Sequence, residues 1–144
     1  MLLGIIMSIV AGAAMSIQGV MNTRLGEGIG NMEANAFVQG TAFALALAVL
    51  LFYRQGSFER LGQVNKLYWL GGALGLIITL TVMLGIKSLG TTLAISVILI
   101  AQLLVAALIE AFGLMGTEKL AFGWTKFLGL ALMTGGMLLI KAKT

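Results

Sequence analysis

The chain has 144 residues, 60% of them hydrophobic and 10% charged, with a net charge of +4 and neither cysteine nor histidine. A soluble domain carries about a quarter charged residues, so this chain cannot cover a water-facing surface and its solvent is a bilayer; the mean hydropathy of +1.07 agrees. Without Cys or His there are no disulfides, no thiolate or imidazole metal sites and no His-dependent nucleophilic triads. The basic residues flank apolar runs, as in membrane proteins, so neither nucleic acid nor a cofactor is expected, and no nucleophile–base constellation suggests an enzyme.

Five apolar runs follow one another, at about Leu2–Thr23, Glu33–Tyr53, Leu67–Ile86, Thr91–Phe112 and Trp124–Ile140. Each is close to the roughly 20 residues that a helix needs to cross a bilayer. The connectors "RLGEGIGN", "RQGSFERLGQVNK", "KSLG" and "GLMGTEKLAFG" are short, and most combine glycine with charge, as turns at a membrane surface do. The alternation of a barrel strand is missing. The expectation is an all-α membrane protein, one domain over residues 1–144 with five transmembrane helices.

The first run lacks a basic leader and is too long for the core of a signal peptide, so it reads as an uncleaved span. At 100° per residue, Ser8, Gly12, Met15, Ser16, Gln18, Gly19 and Asn22 fall on one side of it, and Ile6, Ile9, Val10, Ala13, Ile17 and Val20 on the other. Within the small face, Ser8, Gly12 and Ser16 recur at an interval that lets helix backbones approach closely, and Gly71 and Gly75 do so in the third run. In the second run Asn35, Gln39, Ala42 and Ala46 share a face; in the fourth, Thr92, Ser96, Gln102, Ala106 and Glu110 do. The fifth run is the least hydrophobic at its start.

An unpaired amide in hydrocarbon costs several kcal/mol, so each of these must face other helices or a wet cavity. Two readings stand. The amides are interhelical hydrogen bonds, worth about 0.6 kcal/mol each, or Gln18, Asn22, Asn35, Gln39 and Gln102 line one polar interior and contact substrate. Glu110 lies eight residues after Gln102, about 12 Å further along the axis. It is either an interfacial glutamate or a proton- or cation-coupling group. A negative charge near a helix C-terminus opposes the macrodipole, and a carboxylate out of water favours its neutral form unless a cation compensates. Lys119 and Lys126 are the candidate cations.

Five spans place Arg54, Arg60, Lys66, Lys119 and Lys126 at one membrane face, and Arg24, Lys87, Lys141 and Lys143 at the other. Positive charge normally accumulates on the cytoplasmic face. Here either the basic second connector fixes one orientation, or copies insert both ways and pair as an inverted repeat about an axis in the membrane plane.

The segments "SIQGVMNTRLG", "YWLGGALG" and "LGTTLAISVILIAQLLVAALIEAFGLMG" resemble the YdcZ-like family of the drug/metabolite transporter superfamily. The likeness covers most of the chain; Gln18-Gly19…Asn22 and Gln102…Glu110…Gly113 are its most distinctive groups. Glu110 falls where that family often has aspartate. The resemblance implies a multi-pass bacterial inner-membrane protein, a five-helix half-transporter that acts alone, in pairs or as part of fused ten-helix chains. The expected function is transport or export of an unassigned small molecule by an antiparallel dimer. Its partners would be membrane lipids and a like chain, itself or a similar one, in the opposite orientation. The rival readings are a dual-topology ion channel, for which the spans offer no well-placed cation, and a non-transporting partner subunit.

Overall fold

The computed structural model describes residues 1–142, so Lys143 lies outside the described residues. Five α-helices follow in order: α1 (Leu2–Ile29), α2 (Asn31–Phe52), α3 (Gly71–Leu89), α4 (Thr91–Phe112) and α5 (Trp124–Lys141). Short 3-10 turns occupy Phe58–Gln63, Lys66–Leu70 and Leu114–Gly116, and there is no strand among the described residues. Four helical segments are long and apolar enough to cross a membrane: Leu2–Ile29, Asn31–Phe52, Lys66–Leu89 and Thr91–Phe112. The helix α5 is shorter, at 18 residues, and carries Lys126 and Lys141 near its ends.

The first connector is not the loop that its glycines and charges suggest. Helix α1 continues through Arg24 to Ile29. No proline interrupts it, and Arg24 and Glu27, one turn apart, pair at 2.9 Å. The chain reverses at Gly30 alone, which adopts φ +102°, a left-handed value that glycine takes without a Cβ clash. Its N–H donates to Gly26 O at 3.0 Å, and its carbonyl accepts from Ala34 N–H at 3.0 Å, so one residue closes α1 and opens α2. The 28 residues of α1 span about 42 Å, more than a hydrocarbon core of about 30 Å. The charged last turns can therefore stand in the polar layer.

The chain folds as two units, Met1–Lys87 and Ser88 onward. In the first, α1 packs on α2, and the Asn35 amide of α2 donates to Leu76 O of α3 at 3.0 Å. In the second, α4 packs on α5. Among the described residues the buried apolar set is small: Ala34, Met83, Ile86, Ala94 and Ala107. Large apolar side chains such as Phe43, Leu51, Leu132 and Leu139 point outward. That distribution would be untenable in water, and it suits helices whose outer faces meet lipid.

Within the chain, the glycines on which side chains of α3 are seated are Gly19 and Gly26. A Cβ at Gly12 or Gly71 would meet nothing within 4 Å, and one at Gly75 only the Gln39 amide nitrogen at 3.7 Å. Ser8 and Ser16 turn their hydroxyls back to Gly4 O and Gly12 O, at 2.9 and 3.1 Å. The tight positions are Gly19, where a Cβ would lie 2.9 Å from Ile86 Cδ1 and 3.2 Å from Val82 Cγ1, and Gly26, where it would lie 2.5 Å from Met83 Cε. These two stand seven residues apart, two turns along one face, and α3 lies against them. Gly19→Leu should therefore destabilise the purified protein by about 1–3 kcal/mol through overpacking, whereas Gly12→Leu leaves the chain's own fold unchanged. Thermal unfolding of the two variants in detergent tests this, and equal stabilities would refute the assigned contact.

Candidate functional site

The end of α4 sets the site. Gly113 takes φ +63° and its N–H returns to Glu110 O at 3.2 Å, and the Leu120 N–H donates to the same carbonyl at 3.0 Å. The Thr117 hydroxyl donates to Leu114 O at 2.8 Å. The Glu110 carbonyl is thus satisfied by the chain's own donors, as the end of a helix requires. The connector folds back beneath α4 and delivers the first turn of α5, where the Lys126 N–H bonds to Gly123 O at 3.0 Å. Holding this path, Met115 adopts φ +58°, an unfavourable conformation for a residue with a Cβ.

This geometry brings Lys126 Nζ to 2.6 Å from Glu110 Oε2, with the two side chains 33% and 42% exposed. Of the two candidate cations it is Lys126 that pairs with Glu110. Each charge sits at the unfavourable end of its helix, the carboxylate near the C-terminus of α4 and the ammonium near the N-terminus of α5. Each opposes its macrodipole by a few tenths of a kcal/mol, and the pairing offsets both. Beside the pair lies a pocket of about 260 Å³ walled by Leu103, Ala106, Ala107, Gly129, Leu130 and Met133. Gln102 is exposed and lies outside this lining, although it is on the broad helical face of Glu110. Trp124 stacks on Phe127 at 5.7 Å next to the lysine.

The other amides separate into two groups. Gln18 and Asn22 line an open groove of about 980 Å³ between α1 and α2, with Arg24, Phe37, Val38 and Thr41 among its walls. Asn22 is buried, at 7% exposure. Because α1 runs on to Ile29, Arg24 is a helix residue at this groove, in the last turns of α1. Asn35 and Gln39 do not line the groove. They turn towards α3, where Asn35 is 1% exposed and donates to Leu76 O. Its Oδ1 has no hydrogen-bond partner among the described residues. Within the first unit, Gln18 and Asn22 of α1 thus face the groove while Asn35 and Gln39 of α2 face α3. No group of three or more acidic residues that could hold a metal occurs among the described residues.

The family described as "Putative inner membrane exporter, YdcZ" matches residues 3–139. The chain belongs to this family. No curated protein and no solved structure matches it. Membership, together with the four long apolar helices, makes it a multi-pass inner-membrane protein of an exporter family. Within this YdcZ-family chain the paired Glu110 and Lys126 are the only oppositely charged side chains that join two helices among the described residues.

A part-exposed pair of this kind is worth about 0.2–1 kcal/mol. A double-mutant cycle on Glu110→Gln and Lys126→Gln, read by thermal or denaturant unfolding in detergent, should return a coupling energy in that range and lower it in high salt. A coupling of several kcal/mol would mean that the pair is a structural anchor.

Proposed function

We propose that this protein works as half of an antiparallel dimer that moves small molecules across the inner membrane, with Glu110 as its coupling group. The observation that carries the reading is the Glu110–Lys126 pair at the edge of an apolar pocket between α4 and α5. An ionisable pair in a bundle of apolar helices is a functional element by default. The carboxylate exchanges its lysine for a proton or a cationic solute. The exchange changes the attraction between α4 and α5, and alternating access can use that change. Gln18 and Asn22 in the groove of the first unit, with Gln39 and Gln102, supply polar contacts along the path, and Asn35, tied to Leu76 O, offers it only its unpartnered Oδ1 on opening. The exposed face of Gln102 is available to a second copy.

In this reading α5 is the fifth crossing helix. Its 18 residues rise about 27 Å, close to the hydrocarbon thickness. Its two lysines stand at the ends, where their stems can reach the interface. Five crossings leave the basic residues nearly balanced between faces, which supports insertion in both orientations.

Two experiments bear on this. In proteoliposomes under an imposed pH gradient, Glu110→Gln should fold, dimerise and lose gradient-driven uptake of a panel of small cations and metabolites. Glu110→Asp should retain part of it, because the acid survives with a shorter reach. Equal gradient-driven uptake by wild type and Glu110→Gln would sink the coupling role. Separately, C-terminal reporters active only in the cytoplasm or only outside should both give signal, or one orientation that flips easily. A single orientation that persists after two lysines are added to the opposite face excludes dual topology.

A further inference from the structure

The geometry points to a specific substrate class for the α4–α5 pocket: a small zwitterion with an apolar body, of the amino-acid type, whose ammonium group pairs with Glu110 and whose carboxylate pairs with Lys126. The inference rests on the reading of this pocket as part of a transport path, and it adds the chemistry of what is carried.

The argument begins with charge. Glu110 and Lys126 meet at 2.6 Å, so any ligand that enters between them parts a neutral pair. A monocation would satisfy Glu110 and strand the ammonium of Lys126; a monoanion would satisfy Lys126 and strand the carboxylate. Because both side chains are a third or more exposed, either ligand forfeits the pair's own contribution of about 0.2–1 kcal/mol and leaves one charge to water. A zwitterion gives each a new partner and leaves the site neutral, before and after. Helix polarity acts in the same direction. The protein's own charges stand at the wrong ends of α4 and α5, whereas a ligand ammonium at the end of α4 and a ligand carboxylate at the start of α5 would each be favoured by the macrodipole they meet.

The walls set the rest of the molecule. Leu103, Ala106 and Leu130 offer no hydrogen bond from their side chains and Met133 only a weak thioether acceptor, so the body of the ligand is apolar. The volume of about 260 Å³ lies just below the usual range for drug-sized ligands, about 300–1,000 Å³, which limits it to a small metabolite.

The test compares L-leucine with its single-charge analogues 3-methylbutan-1-amine and 4-methylpentanoate, and with glycine, by calorimetry on the full-length protein in nanodiscs. L-Leucine should bind at least about tenfold more tightly than each of the three, a difference of about 1.4 kcal/mol. Lys126→Met should erase the advantage of leucine over the amine, and Glu110→Gln its advantage over the acid. The wild-type comparison needs no variant to fold, and it decides the class. Binding of the amine or the acid as tight as that of leucine, or no binding of leucine, overturns the inference. The two readings fail separately. Glu110-dependent, pH-driven uptake of other solutes without leucine selectivity sinks this inference alone. Leucine selectivity in a protein that transports nothing sinks the proposed function and leaves the binding site standing.

Discussion

Hydrocarbon supplies no partners to a backbone N–H or C=O, so every such group must be satisfied within a helix or at its ends. That constraint favours a tight turn between α1 and α2. Gly30, at φ +102°, makes that turn between α1 and α2 with one residue. A longer loop would carry more unpaired backbone to the membrane surface. It also explains the small internal core. In water, stability comes from burying apolar side chains; in lipid their exposure is harmless, and cohesion depends on close backbone approach and polar contacts. Here those are the packing of α1 on α2, the α3 side chains Ile86 and Met83 seated on Gly19 and Gly26, and the Asn35 amide on Leu76 O.

Under the same constraint the ion pair of the second unit is notable for how little it should stabilise. Glu110 and Lys126 each sit against their helix dipole, and each is roughly a third or more exposed. Reversing the two residues would have favoured both dipoles. The placement thus gives up stability at a position where a pocket opens. Asn35 shows the opposite balance. It is nearly fully buried and uses its Nδ2 donor to tie α2 to α3, while its Oδ1 is left without a partner. One polar side chain holds helices together; the other two are held only loosely by each other.

Much of this was legible in the sequence, for physical reasons that can be named. The uniform apolarity of the runs fixed helices rather than strands, and Gly90 and Gly113 bound α4 to the same residues as its apolar run, Thr91–Phe112. The overshoot of α1 was not legible. Glycine and charge mark a turn in most sequences, but neither Gly26 nor Gly28 stops a helix that has no proline and an Arg24–Glu27 pair along its side. The Glu110 signal was visible as a charge at the wrong helix end. Its partner was visible only as a choice of two, since the path from Gly113 to Gly123 depends on backbone contacts such as Leu120 N–H to Glu110 O that no local pattern encodes. The Gly12 and Gly71 spacings meet no neighbour within the chain, whereas Gly19 and Gly26 receive side chains of α3. Spacing shows where a neighbour could sit, and the residues of the neighbouring helix decide where one does.

A group that couples a proton or cation to movement must change partners readily, and the geometry of the Glu110–Lys126 pair can be weighed on that requirement. A contact worth about 1 kcal/mol leaves the separated state populated at roughly one part in six. A pair stabilised by 4 kcal/mol would be open about one time in a thousand. Only the first can be shifted decisively by a single ligand with modest differential affinity for the open state. The partial exposure of both side chains, which weakens the pair as a structural element, is therefore what fits it to act as a switch. The apolar walls of Leu103, Leu130 and Met133 serve the same end. They give the open state no competing polar contact, so what satisfies the freed charges must come from the ligand or from water.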